Sequence, residues 1–343
     1  EEEYLMSKIW LLPIEPLEER YSSQWLKWFQ SEFKRLGISY EIICADSLTN
    51  KIRQGSFLDV INTNYYKAAQ LQVLCKLFDK GGIKEGDIIF ALEGWFPGLE
   101  MLAYIRDALD LKFKIYSVYH AGSYDKYDFL TQKGMAKWGK DLENSWFQIY
   151  DGIFVATNFH KEMILENRNI SPEKIFVTGL PIYPEFVKSV PKENIVVFPH
   201  RLDPEKQPQI FDNIKEILQK DFSNWQFIKT KEVCKTKQEY YDLLNRSKIS
   251  VSTALQETYG ICMAESVLCG CVPVVPNRLS YSELYSGMFR YQNNIIELIE
   301  KLRWFISSKA VSLSRNFNDQ QRWIKNNGEQ AIENMVNIMM GEK

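Results

Sequence analysis

Short apolar runs alternate along this chain with longer segments whose apolar residues recur every three or four positions, and that rhythm limits the folds open to it. "KIWLLPIE" (8–15) reads as a strand, and the helical pattern of 17–37 follows it, closed by Gly37 as a C-cap signal. "SYEIIC" is a second strand, and "NYYKAAQLQVLCKLFDKGG" is a helix running into glycines. "GDIIFALE", "KFKIYSVYH" and "GIFVAT" are further strands with helical patterns beside them. Regular strand and helix alternation predicts a mainly parallel sheet covered by helices.

The rhythm breaks once. "GLPIYPEFVKSVPKEN" holds three prolines and ends the first series. A second series follows: strand "NIVVFPH" (194–200), helix 207–220, strand "WQFIKT", helix 237–247, strand "ISVSTA", a helix from about 259, and strand "VPVVP". Helical stretches at 294–305 and 317–340 close the chain. The expected fold class is α/β: two doubly wound, Rossmann-like domains facing across a cleft, over 6–190 and 191–316. A last helix over 317–343 is expected to pack back on the first domain. Sites in such sheets lie beyond the carboxyl ends of the strands.

With 343 residues, there is material for two cores. The net charge of −2 argues against tight non-specific binding to nucleic acid through phosphate neutralisation. Local basic clusters remain, at Lys133, Lys137 and Lys140, and at Lys229, Lys231, Lys235 and Lys237; a solvated surface is the plainer reading of each. No apolar run is long enough to span a membrane. The start, "EEEYLMSK", is acidic where a secretory leader is basic, and Met6 reads as a natural start. Six scattered cysteines and three histidines suit free thiols in a reducing cytoplasm better than a zinc site. The "NRS" at Asn245 matches a glycosylation acceptor with nothing else to support secretion.

Two stretches carry the chemistry. In "ETYGICMAE", Glu257 sits in the loop after strand "ISVSTA", and a helix begins near Tyr259 and Gly260, running on through Ile261. The first N–H groups of a helix have no intrahelical acceptor and favour anions. Gly260 allows close approach, and Glu265, one and a half turns in, is expected to face the same cleft. Each carboxylate can accept paired hydrogen bonds from vicinal hydroxyls, one holding a sugar and the other a ribose. In "FPHRLDPEKQP", Arg201 follows a strand directly and Lys206 lies five residues on. An Arg and a Lys converging there would neutralise a diphosphate. Together these groups form a cradle suited to a nucleotide-sugar.

"RLDPEK", "ETYGICMAE" and the following "CGCVPVV" resemble the paired signatures of retaining glycosyltransferases of the GT-B fold, over roughly residues 194–285. The resemblance implies that Arg201 and Lys206 grip the donor diphosphate, that Glu257 binds the transferred sugar and that Glu265 binds the ribose. Tyr259, Gly260 and Ile261 would complete the donor site. It implies a nucleotide-sugar co-substrate, UDP-glucose first and GDP-mannose second, with no metal required. The domain over 6–190 would then bind the acceptor and that over 191–316 the donor. Retaining enzymes of this fold are held to react on one face, with the leaving phosphate taking the acceptor proton.

"FPHRLDPEKQPQIF", the "ST" before Glu257, "CGC" and "YSEL" look more like the queuosine-tRNA mannosyltransferase group than like lipid or starch enzymes. "PIEPLEERYSSQW" and "HAGSYDKYDF" are similar to glycosyltransferase-like proteins of phage genomes that modify DNA bases. The likeness implies DNA, or tRNA second, as acceptor partner, and a cytoplasmic enzyme, in the host cytoplasm if phage-encoded. The first loop, "PIEPLEERYS", lacks the glycines many relatives carry there. His120, at a strand's carboxyl end with Ala121 and Gly122 after it, would touch the sugar near the reacting centre. Asp125 or Asp128 could orient or deprotonate an acceptor hydroxyl, or simply cap the loop. In "LEGWFPG", Glu93, Trp95 and Phe96 could form an acceptor wall with rings that stack on a flipped base.

Other readings stay open. The acceptor could be a small glycoside, a glycan or a lipid headgroup, although helix 17–37 carries mixed charges where a lipid enzyme would be basic. A non-catalytic binding module on the same fold is a further alternative, but all four charged positions are intact. A Rossmann dehydrogenase is disfavoured, because no G-x-G-x-x-G follows any strand.

Overall fold

The computed structural model of the chain describes residues 7–17, 20–48, 59–307 and 313–341. Met6 lies outside these residues, as do positions 18–19 of the "PIEPLEERYS" loop. The chain forms two compact units, Glu1–Thr178 with Ala331–Lys343, and Gly179–Gln330. The expected boundary at 190 falls inside the second unit. There the proline-rich segment is held down: the Lys188 N–H donates to Asn245 Oδ1 at 2.9 Å, and Phe186 stacks on Tyr241 with centroids 4.1 Å apart.

The first unit contains β1 (Ile9–Leu12), β2 (Tyr40–Ile42), β3 (Ile88–Ala91), β4 (Lys114–Val118), β5 (Gly152–Val155) and β6 (Ile175–Val177). They form one sheet in the order β2-β1-β3-β4-β5-β6, parallel at every pairing. Strands β1, β3 and β5 are buried along their whole length, which is why they read as unbroken apolar runs. The helices are α1 (Tyr21–Arg35), α2 (Val60–Asp79), α3 (Glu100–Ala108), α4 (Phe129–Gln132), α5 (Ala136–Ile149) and α6 (Asn158–Asn167). Helix α1 turns Trp25, Trp28, Phe29 and Phe33 inward, and Phe29 meets Phe90 of β3 edge to face at 5.7 Å.

The second unit repeats the plan with β7 (Glu193–Phe198), β8 (Gln226–Lys229), β9 (Ser247–Val251), β10 (Val272–Pro276) and β11 (Arg290–Tyr291). Its parallel sheet has the order β11-β10-β9-β7-β8. Its helices are α7 (Pro208–Asp221), α8 (Thr230–Val233), α9 (Lys237–Arg246), α10 (Ile261–Leu268), α11 (Tyr281–Leu284) and α12 (Ile295–Ser307). Helix α13 (Leu313–Met340) begins in the second unit and ends in the first. There Ala331, Ile332, Met335, Val336 and Met339 are buried, and Glu333 pairs with Arg35 of α1.

Each sheet reverses its winding once, between β1 and β3 in the first and between β7 and β9 in the second. Loops leaving the carboxyl ends of strands at such a reversal diverge and leave room for a ligand. One chance sequence match is set aside at this level, and one expectation fails. Asn245 is buried and spends its side chain on Phe186 O, Tyr241 O and Lys188 N, so it cannot carry a glycan in this fold. The first helix starts at Tyr21 rather than 17, because Leu17 and Arg20 close a turn onto Glu15 O and Leu17 O. No described helix is long and apolar enough to cross a membrane.

Candidate active site

In the second unit the loops after β7 and β9 carry Arg201 and Glu257, on the two strands that flank the winding reversal. Lys206 is almost wholly buried, and its ammonium donates to Gln256 O at 2.5 Å and to Glu257 Oε2 at 3.2 Å. The other oxygen of Glu257 accepts the Gly260 N–H at 2.9 Å. One carboxylate therefore ties the lysine to the residue that caps α10. The loop is held from behind as well: Thr253 Oγ1 donates to Lys206 O, Leu255 N–H to Glu205 O, and Arg278 donates to Ala254 O at 2.9 Å. Arg201 pairs with Asp203 at 2.6 Å and with Glu205 at 3.1 Å, and its side chain is 37% exposed.

Gly260 caps α10 at φ +86°, in the left-handed region that favours glycine. A Cβ there would stand 2.9 Å from the buried ring of Tyr281 and 3.4 Å from Glu257 Cγ. Tyr281 is fixed in turn by Ser252 Oγ at 2.9 Å. The close approach that glycine permits is thus made by Tyr281, while Tyr259 is buried and Ile261 opens the helix. The first turn of a helix favours anions, and α10 begins at Ile261 beside these charged groups.

Glu265 departs from expectation. It is buried, with Tyr241 Oη at 2.7 Å, Tyr240 Oη at 2.8 Å and Lys237 Nζ at 3.0 Å, all on α9. A carboxylate offers about four acceptor positions, so three donors leave little of it open to a ribose. Burial, and then the Glu265 charge, push the Tyr240 hydroxyl far above its usual range, which keeps it a donor.

His200, between β7 and Arg201, is absent from the sequence-based site. It is buried, its Nδ1 lies 3.2 Å from Cys262 Sγ on α10, and its Nε2 is buried without a hydrogen-bond partner among the described residues. Burial, and then the Lys206 and Arg201 charges, hold its pKa well below the ordinary value. Both cations thus raise the potential at one neutral ring. Burial pushes the Cys262 thiol up, so it too is neutral.

In the first unit the expected residues follow β3 and β4. His120 Nε2 lies 2.9 Å from Leu92 O, and since a carbonyl only accepts, that nitrogen carries the proton. The ring packs on Trp25 and Tyr21 of α1, with centroids 5.1 and 5.8 Å away. Gly122 is buried, and a Cβ on it would meet the Tyr124 ring at 2.3 Å and Glu143 Oε1 at 2.9 Å. Asp125 is buried and accepts the Tyr127 N–H at 2.9 Å, the loop-capping role. Asp128 caps α4 through Leu130 N, and burial raises its pKa to about 7.

Glu143 of α5 organises these loops, and sequence reasoning missed it. Its wholly buried carboxylate accepts from Ser123 N at 2.6 Å, Ser123 Oγ at 2.9 Å, Trp95 Nε1 at 2.8 Å and Arg168 Nε at 2.6 Å. It joins the loop after β3 to the loop after β4. The expected pair of exposed rings is corrected accordingly: Phe96 and Glu93 are buried, and Trp95 is half-buried, edge to face with Trp146 and Trp138.

Two parallel sheets of six and five strands, each wound in both directions, give the chain the GT-B fold of two Rossmann-like domains. The catalytic domain of starch synthase IV from Arabidopsis thaliana, solved with ADP and acarbose, superimposes with a TM-score of 0.65 at 9% identity, covering 98% of this chain and 99% of that one. S. aureus TarM, solved with fondaparinux, α-GlcNAc-glycerol and UDP, gives a TM-score of 0.58 at 16% identity over 78% of this chain, which spans 58% of the TarM chain. At these identities the likeness is one of fold. Among curated proteins, the tRNA-queuosine α-mannosyltransferase of Drosophila melanogaster is 36% identical over 78 residues, 23% of this chain and 19% of that protein. No family model matches the chain.

Proposed function

We propose that the chain is a glycosyltransferase that moves a hexose from a nucleotide-sugar to a hydroxyl group on a modified nucleic-acid base, with retention at the anomeric carbon. The observation that carries this reading is the Lys206–Glu257–Gly260 chain of contacts at the start of α10, with Arg201 on the neighbouring strand end. Arg201, Lys206 and the helix start would hold the diphosphate, and Glu257 would turn to the hydroxyls of the hexose. The anomeric carbon's bond to the phosphate oxygen breaks while its bond to the acceptor oxygen forms on the same face. The acceptor proton passes to the leaving phosphate. His120 would lie near the hexose, and Trp95, Gly122 and Asp125 near the acceptor. Glu265 would meet the ribose only by exchanging one of its α9 donors.

UDP-glucose is the first donor proposed and GDP-mannose the second. The nucleic-acid acceptor, hydroxymethylated DNA first and tRNA second, is supported by the stretch shared with a mannosyltransferase named for tRNA queuosine. A glycan acceptor is the second reading, favoured by the carbohydrates bound in the TarM and starch synthase structures.

The test offers UDP-glucose, UDP-GlcNAc and GDP-mannose with DNA bearing 5-hydroxymethyl pyrimidines, and separately with bulk tRNA, and reads nucleoside mass. A hexose added to a nucleoside is expected, and NMR of the new linkage reports retention. Donor hydrolysis without transfer to either nucleic acid would keep the transferase and discard the base as acceptor. Glu257→Ala is expected to lower transfer by about 10²–10³-fold, as for loss of a preorganised polar contact at a reacting centre. Full activity in both Glu257→Ala and Arg201→Ala would sink the mechanism.

A further inference from the structure

The segment from Lys126 to Lys140, "KYDFLTQKGMAKWGK", crosses α4 and enters α5. Four lysines in it, Lys126, Lys133, Lys137 and Lys140, are exposed. Its one acid, Asp128, is turned to capping α4, and burial keeps its carboxyl partly protonated near neutral pH. The next acid along the chain, the exposed Asp141, offsets one of the four charges. Rings are interleaved with the lysines. Trp138 is 50% exposed and Phe129 is 40% exposed. The Lys126 ammonium lies 4.8 Å over the Tyr127 ring and that of Lys133 lies 6.0 Å over Phe129.

A merely solvated basic face would not need a half-exposed indole. Trp138 is anchored edge to face on Trp95, 5.8 Å between centroids, and Trp95 is itself bonded to Glu143. The exposed ring is therefore held in place, and it continues the loop after β3 into the basic surface. A fixed indole among exposed cations matches a strand whose phosphates alternate with bases. An acidic protein would satisfy the lysines but gives the rings nothing regular to stack on.

We propose that this surface binds a single-stranded or unpaired segment of nucleic acid, with phosphates on Lys126, Lys133, Lys137 and Lys140 and a base stacked on Trp138. It rests on the nucleic-acid acceptor reading above and names the part of the first unit that would receive the strand beside the modified base.

The test is fluorescence anisotropy of labelled twelve-nucleotide DNA and RNA with the full chain and no donor present. Three or four phosphate contacts predict a log–log salt slope of about −2 to −3, so affinity rises roughly 20–50-fold between 200 and 50 mM salt. Trp138→Ala is expected to weaken binding by about tenfold or more, with Trp138→Phe recovering part of it. Replacing Lys133, Lys137 and Lys140 together by alanine is expected to flatten the slope to about −0.7, shallower than −1. The proposal is overturned by unchanged affinity in Trp138→Ala, by equal capture of dextran sulfate or anionic vesicles, or by no binding at 50 mM salt. Hydrolysis of the nucleotide-sugar, followed in the same preparations, separates the two readings. Hydrolysis without oligonucleotide binding removes this surface alone. Oligonucleotide binding without hydrolysis or transfer removes the transferase reading and leaves the surface standing.

Discussion

At Gly260 a single methyl group is too much. The backbone sits at φ +86°, and the nearest atoms to an added Cβ belong to a tyrosine ring that is itself bonded and buried. Left-handed strain and a close contact together predict a loss of about 1–3 kcal/mol for Gly260→Ala. Urea unfolding followed within the second unit checks it, and a loss under about 0.5 kcal/mol would contradict the geometry. Arg201, Lys206 and Glu257 were legible because each stands at a fixed short distance from a strand end, so local spacing alone places them. Glu143, Arg168 and His200 were not, because what they bond to arrives from other elements. Glu143 did leave a trace. It lies three residues before Trp146 on the buried face of an amphipathic helix, where a lone acid needs a reason.

At the scale of the element, α9 is the helix that decides how Glu265 is held. Its N-terminus has a capping box: Thr236 accepts the Glu239 N–H at 3.1 Å, and Glu239 reaches back to the Thr236 N–H at 3.2 Å. Lys237 is the first residue of that helix, and Tyr240 and Tyr241 follow within one turn. Loss of the cap in Thr236→Ala should cost about 1 kcal/mol, and it should loosen all three donors to Glu265 at once. If Glu265 meets the donor ribose, the donor KM rises while acceptor KM is unchanged; equal shifts in both would argue against that role. Sequence periodicity located α9 within a residue at each end but could not show what its polar face meets. The hydroxyls of Tyr240 and Tyr241, adjacent in sequence, converge on one carboxylate.

Over the whole molecule, burial sets a pH dependence. His160 lies in the first unit with its pKa held down at about 3, and His200 lies in the second, also well below its ordinary value. Both stay neutral when folded and take up a proton near pH 6.5 once unfolded. The unfolded chain then binds more protons, so stability is full above pH 6.5 and falls as pH drops below it, by roughly 1 kcal/mol per histidine per pH unit. The second unit should show a lower urea midpoint at pH 5 than at pH 7.5, and a midpoint that does not move would mean that water reaches His200; in the first unit Asp128, raised to about 7, takes up its proton in the folded state and opposes the loss at His160. The two-sheet plan was legible from the alternation because parallel strands are buried on both faces and read as continuous apolar runs. Where the chain changes units was not, because Gly179–Val190 is held to the second unit by contacts such as Phe186 on Tyr241, which no local pattern announces.

Helix α13 gives the order of synthesis a consequence. The first unit is encoded in two pieces, with all of the second unit between them, and the later piece brings Ile332, Met335, Val336 and Met339 into its interior. A nascent chain can finish the second unit while the first still lacks part of its core. The first unit can close its core only with residues 331–343, which are translated after the whole of the second unit.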